Sequence, residues 1–316
     1  MRALAAQRRF EAQLLALRME VARAYWRLWE VRASRAVQGE QLALLAALSE
    51  GVRGRVEVGQ ATLADVAQID LSRSRLEDAD LRLVEEERAA EAALRAAIGA
   101  PAASATPTAE AAPEPALPAE DTAALAADAR EHPYVRAFLA LAEASGAEAR
   151  AAEAERFPRL RLSVEAMIGH DRASGAQSPM EGVIAGVGLT VPLWQDAYAG
   201  AQRAAEADAD AGRAEARAAE DAAVAELEQA LSSVLGSHRR VRLYERTLLP
   251  QARSAYESVI GAYAAGRGSI AQTSLAQRDL LELALGLVRA RAEHGVAWAR
   301  LERAVGRAVE RQVAHD

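Results

Sequence analysis

The first 99 residues of the chain contain no proline, and this feature constrains the fold more than any other. Alanine, leucine, glutamate and arginine dominate the stretch, and these residues are strong helix formers. Only the glycine-bearing segment 51–59 interrupts the helical pattern. The pattern therefore predicts two helices, residues 9–50 and 61–98, each roughly 55–65 Å long at about 1.5 Å per residue. A short turn between them would make an antiparallel helical hairpin.

Prolines and glycines divide the rest of the chain. Residues 100–120 hold five prolines among Ala, Ser and Thr, which predicts a linker rather than a helix. Further helices are predicted at 121–128, at 132–156, from 196 to 264 with an interruption at Pro250, and at 270–305. The expected fold is mainly α, built from long antiparallel helical hairpins of the α-barrel or coiled-coil type.

The two predicted hairpins match when the sequence is shifted by 207 residues. Gly59 then falls on Gly266, and Gly99 falls on Gly306, without a gap. Helices rich in Ala and Leu align to some degree by composition alone, but paired glycines at the turn and at the far end favour a true duplication. The predicted domains are a first-repeat hairpin at 1–99, a linker at 100–120 and a second repeat at 121–316, with its long hairpin at 196–306.

One segment, residues 159–191, alternates with a period of two and predicts a β-hairpin. Each run is about 9–10 residues, the length of a tilted membrane-spanning strand, with polar or small residues on the reverse face. The apolar face carries Leu160, Leu162, Val164, Val187 and Leu189. A hairpin lying on a soluble core is the alternative, but an isolated hairpin is marginal in water. Since no other strand is predicted, we expect it to pair with strands of other chains.

Composition excludes several functional classes. Without cysteine the chain has no disulfide scaffold, thiolate zinc site or cysteine nucleophile. A formal net charge of −7 argues against a nucleic-acid partner. The five histidines show no metal-ligand spacing, and no P-loop, HExxH or Gly-x-Ser-x-Gly motif occurs. We therefore expect no enzyme activity, no cofactor and no metal site.

Several motifs resemble those of the outer membrane efflux protein family, the TolC-like channels. The second strand ends in Gly-Leu-Thr-Val-Pro-Leu-Trp at 188–194, which is similar to the family's strand that ends in Pro-Leu-aromatic before a long helix. The helical segments resemble the family at Leu249-Pro250, at Tyr263 to Gly266, and at Val58-Gly59 followed by Asp65. The overall pattern also resembles the metal-efflux branch of the family.

The resemblance implies a passive exit duct for drugs, metals or other small solutes. In the family, three protomers build one outer-membrane barrel, and long helices continue the tube across the periplasm. The implied partners are two further copies of the chain, a periplasmic adaptor protein, an inner-membrane pump of the RND type, and membrane lipid at the hairpin. A full member has two strand pairs and this chain has one. We therefore expect the sequence to be truncated at its N-terminus, without its signal peptide and first strand pair.

The helical turns are the implied periplasmic mouth, where the family meets its adaptor and gates its pore. The candidate residues there are Gly59, Asp65, Gly266, Arg267 and Gln272. Asp65 has two interpretations: it forms part of an acidic constriction, or it caps the first turn of its helix, where a carboxylate is favoured. Trp194 would belong to the aromatic belt at the membrane surface or have a plain packing role.

The alternative function is a soluble coiled-coil scaffold or interaction protein without a pore. It accounts for the alanine-rich helices and for the absence of a recognisable signal peptide. It does not account for alternating strands of lipid-spanning length or for their Pro-Leu-Trp ending.

Overall fold

The computed structural model describes residues 1–105, 115–170 and 179–313, and the side chains of all of these except 167–170, 179–182 and 313. The middle of the predicted linker and most of the loop between the predicted strands lie outside these ranges. The helices are, in chain order, α1 (Arg2–Glu57), α2 (Leu63–Ala97), α3 (Thr122–Arg130), α4 (Pro133–Ala154), α5 (Gln195–Leu243), α6 (Leu249–Ala264) and α7 (Ile270–Val305). Of these described helices, none is at once long and apolar enough to span a membrane.

The predicted long helices are confirmed, and α7 begins and ends where the sequence predicts. The predicted glycine break in the first hairpin is wrong in its position, because Gly51 and Gly54 lie inside α1 and the chain turns only after Glu57. A glycine within a helix costs about 1 kcal/mol relative to alanine. Val52, between the two glycines, is fully buried in a cluster with Ile69 of α2, and this packing offsets the cost.

Pro250 coincides with a π-helical turn rather than a loop. Residues Tyr244–Leu248 form this turn, and the N–H of Leu249 donates to the carbonyl of Tyr244, five residues earlier. Proline has no N–H, and in an α-helix its ring clashes with the carbonyl four residues before it. The wider spiral of a π turn relieves that clash. The helical path therefore continues from α5 through the π turn into α6.

The predicted β-hairpin is present as β2 (Arg159–His170) and β3 (Pro179–Thr190), which pair antiparallel. The register is continuous from the pair Arg159–Thr190 to the pair His170–Pro179. Each strand has 12 residues, somewhat more than the alternating run predicts. At about 3.4 Å per residue, each strand is about 40 Å long.

A second, smaller sheet contradicts the prediction that the chain has a single strand pair. β1 (Ala116–Pro118) lies within the predicted linker and pairs antiparallel with β4 (Arg311–Val313) near the end of the chain. Three residues are too short for a period-two pattern to be recognised, and the two strands are far apart in sequence. The last part of the linker is therefore an ordered strand.

The chain folds as two units. The first unit holds residues 1–9 and 134–220, and in it α4 packs closely on the first half of α5. Gly212 permits this approach, since a Cβ there would lie 2.8 Å from Ser145 Oγ and 3.4 Å from Ala142 Cα. The helices bury alanines in this unit: Ala137, Ala140, Ala144, Ala209, Ala216 and Ala219. Small side chains thus let the two backbones pack at short range.

The second unit holds residues 10–133 and 221–316. Its largest apolar cluster joins α3, α5 and α7 with β1 around Leu125, Leu227, Trp298 and Leu301. A separate cluster joins α1, α2 and α7 near the two helical turns, and its buried members are Leu45, Val52, Ile69, Leu76 and Ile270. This second cluster packs the helices next to both turns against one another.

Candidate functional site

One face of the β2–β3 pair is apolar and exposed from Leu160 to Ala166, and from Val183 to Leu189 across from them. Opposite residues of an antiparallel pair lie on the same face, and the register places Leu160 opposite Leu189 and Leu162 opposite Val187. Val164 follows on the same side. The exposed fractions of these five side chains run from 65% for Leu189 to 77% for Val164. A ladder of exposed large apolar side chains is a surface that water does not stabilise, and it marks a membrane or protein contact.

The reverse face of the strand pair is mostly polar or small, with the exposed Ile184 opposite Glu165 as its large apolar residue. Arg159 lies opposite Thr190, Arg161 opposite Gly188, and Ser163 opposite Gly186. A Cβ at Gly186 would lie 2.8 Å from the hydroxyl oxygen of Ser163, so glycine leaves room for the side chain across from it. The pair therefore has the two-faced character of a strand that separates lipid from an aqueous space.

Large exposed side chains surround the start of β2 and the end of β3. Phe157 precedes β2, and Leu193 and Trp194 follow β3, with exposed fractions of 65%, 73% and 75%. Immediately after them α5 begins, and the side-chain amide of Gln195 donates to the carbonyl of Pro192 at 2.9 Å. Trp194 is therefore exposed just beyond the end of β3.

The first helical turn, between α1 and α2, depends on one glycine and one capping box. Gly59 has φ +74°, a conformation that side-chain-bearing residues rarely adopt. The hydroxyl oxygen of Thr62 accepts from the N–H of Asp65 at 3.2 Å, and the Asp65 carboxylate accepts from the N–H of Thr62 at 2.8 Å. Asp65 is therefore a helix-capping residue in this structure, which is one of its two interpretations from sequence.

The second helical turn, between α6 and α7, repeats this construction. Gly266 has φ +72°, and Ser269 forms a capping box with Gln272 at distances of 3.3 and 3.4 Å. Ser269 and Gln272 are the residues that the 207-residue shift places on the first turn's capping pair. The two turns thus share one backbone geometry and differ in charge, since an amide stands where the first turn has a carboxylate. Arg267 is exposed between the glycine and the cap.

Arg55 joins the two turns, and sequence analysis missed it. Its Nη1 donates to the carbonyls of Tyr263 and Ala264 at 2.9 and 3.2 Å, and its guanidinium carbon lies 4.8 Å from the centre of the Tyr263 ring. A cation suits this place because carbonyls at a helix C-terminus carry partial negative charge. Burial raises the pKa of Tyr263. No sequence pattern distinguishes Arg55 from the many other arginines.

A buried histidine cluster is the second feature that sequence analysis missed. His294 is 6% exposed, its Nδ1 lies 2.9 Å from the hydroxyl of Ser237, and its Nε2 accepts from Trp298 at 3.0 Å and from the N–H of Ala116 at 3.3 Å. Burial, with His238 nearby, lowers the pKa of His294 to about 4. The imidazole is therefore neutral near pH 7, and it holds β1 against α5 and α7.

The remaining histidines form no metal site within the described part of the chain, where no group of three His, Asp or Glu residues has suitable geometry. His315 and the side chain of His170 lie outside the described residues.

Glu57, near the first turn, is exposed. The structure thus brings together the two turns, and it leaves the exposed Arg267 and Glu57 available at their surface.

Comparison with known proteins gives one consistent answer. The sequence profile of the outer membrane efflux proteins matches residues 127–307. The outer membrane efflux protein BepC of Brucella suis biovar 1 is 27% identical over 293 residues, which are 90% of this chain, and the chain spans 62% of the length of that relative.

Solved structures show the same fold. The outer membrane protein VceC of Vibrio cholerae has a TM-score of 0.80 at 21% identity, over 98% of this chain and 74% of VceC. CusC, described for its transmembrane channel formation, has a TM-score of 0.83 at 18% identity, over 97% of this chain and 72% of CusC. With more than half of its length matched by the family profile, this chain belongs to the outer membrane efflux protein family.

Proposed function

We propose that the chain is a subunit of a passive outer-membrane exit duct that serves a tripartite efflux pump. One observation carries the proposal: one face of the β2–β3 pair exposes apolar side chains from Leu160 to Ala166 and from Val183 to Leu189, whereas the other face is mostly polar or small. Strands of this kind are stable in lipid only when a closed barrel pairs every edge. A barrel therefore requires strands from further copies, and a homotrimer supplies them.

The helices would continue the duct on the periplasmic side of the outer membrane. The two turns would form its mouth, with Gly59, Asp65, Gly266, Arg267 and Gln272 contacting the adaptor protein or gating the pore. Support comes from the exposure of Arg267 and Gln272 and from the shared geometry of the two turns. Arg55, which bonds the end of α6 from the end of α1, would hold the mouth in the conformation described here.

The duct performs no chemistry in this proposal, so the chain is not an enzyme and uses no cofactor. An RND-type pump and its adaptor would supply energy and much of the selectivity. Drugs, metals and other small solutes are the substrate classes, and the metal-efflux branch is the narrower prediction. The division into a first repeat at 1–99, a linker at 100–120 and a second repeat at 121–316 also remains a prediction.

Two substitutions on opposite faces of one strand test the duct. Leu162→Arg places a charge on the apolar ladder, which costs about 2–4 kcal/mol at the middle of a bilayer. Glu165→Arg places the same side chain on the reverse face, which already carries a charge. We expect Leu162→Arg to abolish trimers in outer-membrane fractions and single-channel conductance in planar bilayers, and Glu165→Arg to retain both.

A different outcome would favour the soluble coiled-coil scaffold. In that case the wild-type chain would remain in the soluble fraction, would give no conductance, and would tolerate both substitutions equally. Chemical cross-linking of intact cells is an independent test, because the duct predicts both a trimer of this chain and a cross-link between the trimer and the adaptor protein.

A further inference from the structure

A groove between α1, α5 and α7 has the size and lining of a ligand site. Its volume is about 510 Å³, within the usual range of about 300–1,000 Å³ for small-molecule pockets. Every residue that lines it belongs to the second unit, so the groove is complete within one compact body. None of the residues at the two turns or on the strand pair takes part, and the proposed duct leaves the groove without a role.

One wall of the groove is aromatic and apolar. Trp26 of α1 lies against α7 because Gly295 has no side chain: a Cβ there would lie 2.1 Å from the Trp26 ring. Val296 and Ala297 of α7 continue this wall. Across from them, Gly236 of α5 leaves open space, since a Cβ at that position would have no neighbour within 4 Å. The groove thus has an apolar wall at Trp26 and open space beside Gly236.

The rim of the groove carries a surplus of positive charge. Four arginines line it, and two of them are already paired: Arg27 with Glu30, and Arg240 with Glu293. Arg23 and Arg300 form no ion pair with any residue for which the structure describes a side chain, and the Arg23 guanidinium donates to the sulfur of Met19 at 3.3 Å. Two guanidiniums without an ion pair therefore line the same cavity, although the protein as a whole carries a net charge of −7.

Guanidinium groups bind carboxylate, phosphate and sulfonate oxygens through paired N–H donors. We propose that this groove, referred to below as the arginine groove, binds a small organic anion, with its aromatic or aliphatic part against Trp26 and its anionic group on Arg23 and Arg300. The site does not depend on the proposed duct, because it needs neither a closed barrel nor a partner protein.

The test uses two probes of similar size and shape, one anionic and one neutral. Naphthalene-2-sulfonate and its neutral counterpart naphthalene-2-sulfonamide are titrated into the purified full chain by isothermal calorimetry. We expect the sulfonate to bind at one site per chain and the sulfonamide to bind about tenfold more weakly, because it forgoes a charged hydrogen bond. Absence of saturable sulfonate binding, or equal binding of both probes, would overturn the proposal.

Three variants locate the site. Gly236→Leu places a side chain in the groove at a position where an added Cβ meets no neighbour within 4 Å, and leucine is a better helix former than glycine, so we expect the fold to be retained. Gly200→Leu is the matched control, because it lies on the same helix, also has open space, and is outside the groove. Arg300→Gln removes one unpaired charge.

We expect sulfonate affinity to fall at least about tenfold in Gly236→Leu and in Arg300→Gln, and to stay within about twofold in Gly200→Leu. Circular dichroism of each variant confirms that the helices are intact. If Gly236→Leu binds the sulfonate like the wild type while remaining folded, the bound probe lies elsewhere and the arginine groove is not a ligand site.

Discussion

Helices α2 and α7 align with each other when the sequence is shifted by 207 residues, yet they are stabilised in different ways. They have 35 and 36 residues, both begin at a capping box, and both follow a glycine with positive φ. However, α2 buries four side chains and α7 buries fourteen. Helix length and helix start are thus shared, while the amount of buried surface is not.

The difference is sharpest at two aligned positions. His294 and Trp298 of α7 correspond to Glu87 and Glu91 of α2. The histidine and the tryptophan are buried and neutral, and they bond to each other and to Ala116. The glutamates pair with arginines of α1: Glu87 accepts from Arg32 at 2.8 Å and from Arg35 at 2.6 Å, and Glu91 from Arg32 at 2.6 Å. At these two positions, α2 is thus held by charge pairs and α7 by buried neutral side chains.

The largest expected effect comes from removing an apolar side chain at aligned positions. Ile270 of α7 is 2% exposed, and its counterpart Leu63 of α2 is 77% exposed. Ile270→Ala should lower the free energy of unfolding by about 2–5 kcal/mol because it leaves a cavity. Leu63→Ala should change it by less than about 0.5 kcal/mol. Urea unfolding followed by circular dichroism measures both, and equal losses would contradict the contrast between the helices.

Lowering the pH tests whether His294 is buried in its neutral form. The pKa of His294 is about 4 in the folded chain, against 6.5 when unfolded, because burial disfavours its charged form. The unfolded state therefore binds more protons, and stability should be complete above pH 6.5 and fall by up to about 3 kcal/mol as the pH drops to 4. Urea midpoints across this range measure the loss. In His294→Gln that part of the pH dependence should vanish; an unchanged profile would assign it to another group.

The capping boxes at the starts of α2 and α7 test a feature that the two helices share. Thr62→Ala and Ser269→Ala each remove the hydroxyl that accepts from the third backbone N–H of the helix. Each should cost about 1 kcal/mol. We expect the two losses to be similar, although Asp65 and Gln272 differ in charge, because each hydroxyl satisfies one otherwise unpaired N–H. A loss of stability confined to one turn would show that the shared backbone geometry does not give the two turns equal stabilisation.

The smallest effect is expected in the charge pairs of α2. Hydrogen bonds from Arg32 and Arg35 keep the pKa of Glu87 below its ordinary value. Glu87→Gln should cost about 0.5–1 kcal/mol in low salt, since both arginines lose a charged partner. The loss should shrink in about 1 M salt, where screening is strong. Glu85→Gln is the control, because Glu85 is 69% exposed and pairs only within its own helix with Arg88.

The sequence was sufficient for the long helices and for the strand pair. Proline-free, alanine-rich stretches and a period of two are local signals, and local signals predicted α7 to the residue and placed β2 and β3 correctly. The sequence was not sufficient where contacts between residues far apart in the chain determine the local structure. Packing of Val52 keeps α1 helical through two glycines, and β1 is a strand only because β4 lies beside it.

For the candidate site, sequence predicted the apolar ladder and both turns but not the residue that joins them. Gly59 and Gly266 are recognisable because few residues tolerate positive φ. The Thr-x-x-Asp and Ser-x-x-Gln spacings are a capping signal that could have been read from the sequence. Arg55 gives no such signal, because its function depends on carbonyls about 200 residues away that only the fold brings near.

The small sheet of β1 and β4 also bears on the order in which the second unit folds. Ala116 pairs with Val313, so this contact closes a loop of about 200 residues, whereas α1 and α2 or α6 and α7 meet across turns of a few residues. Short loops close first, and contacts between distant segments form late. We expect the helical hairpins to assemble early and the β1–β4 pairing to be among the last steps, completed once His294 and Trp298 are in place to receive the backbone of Ala116.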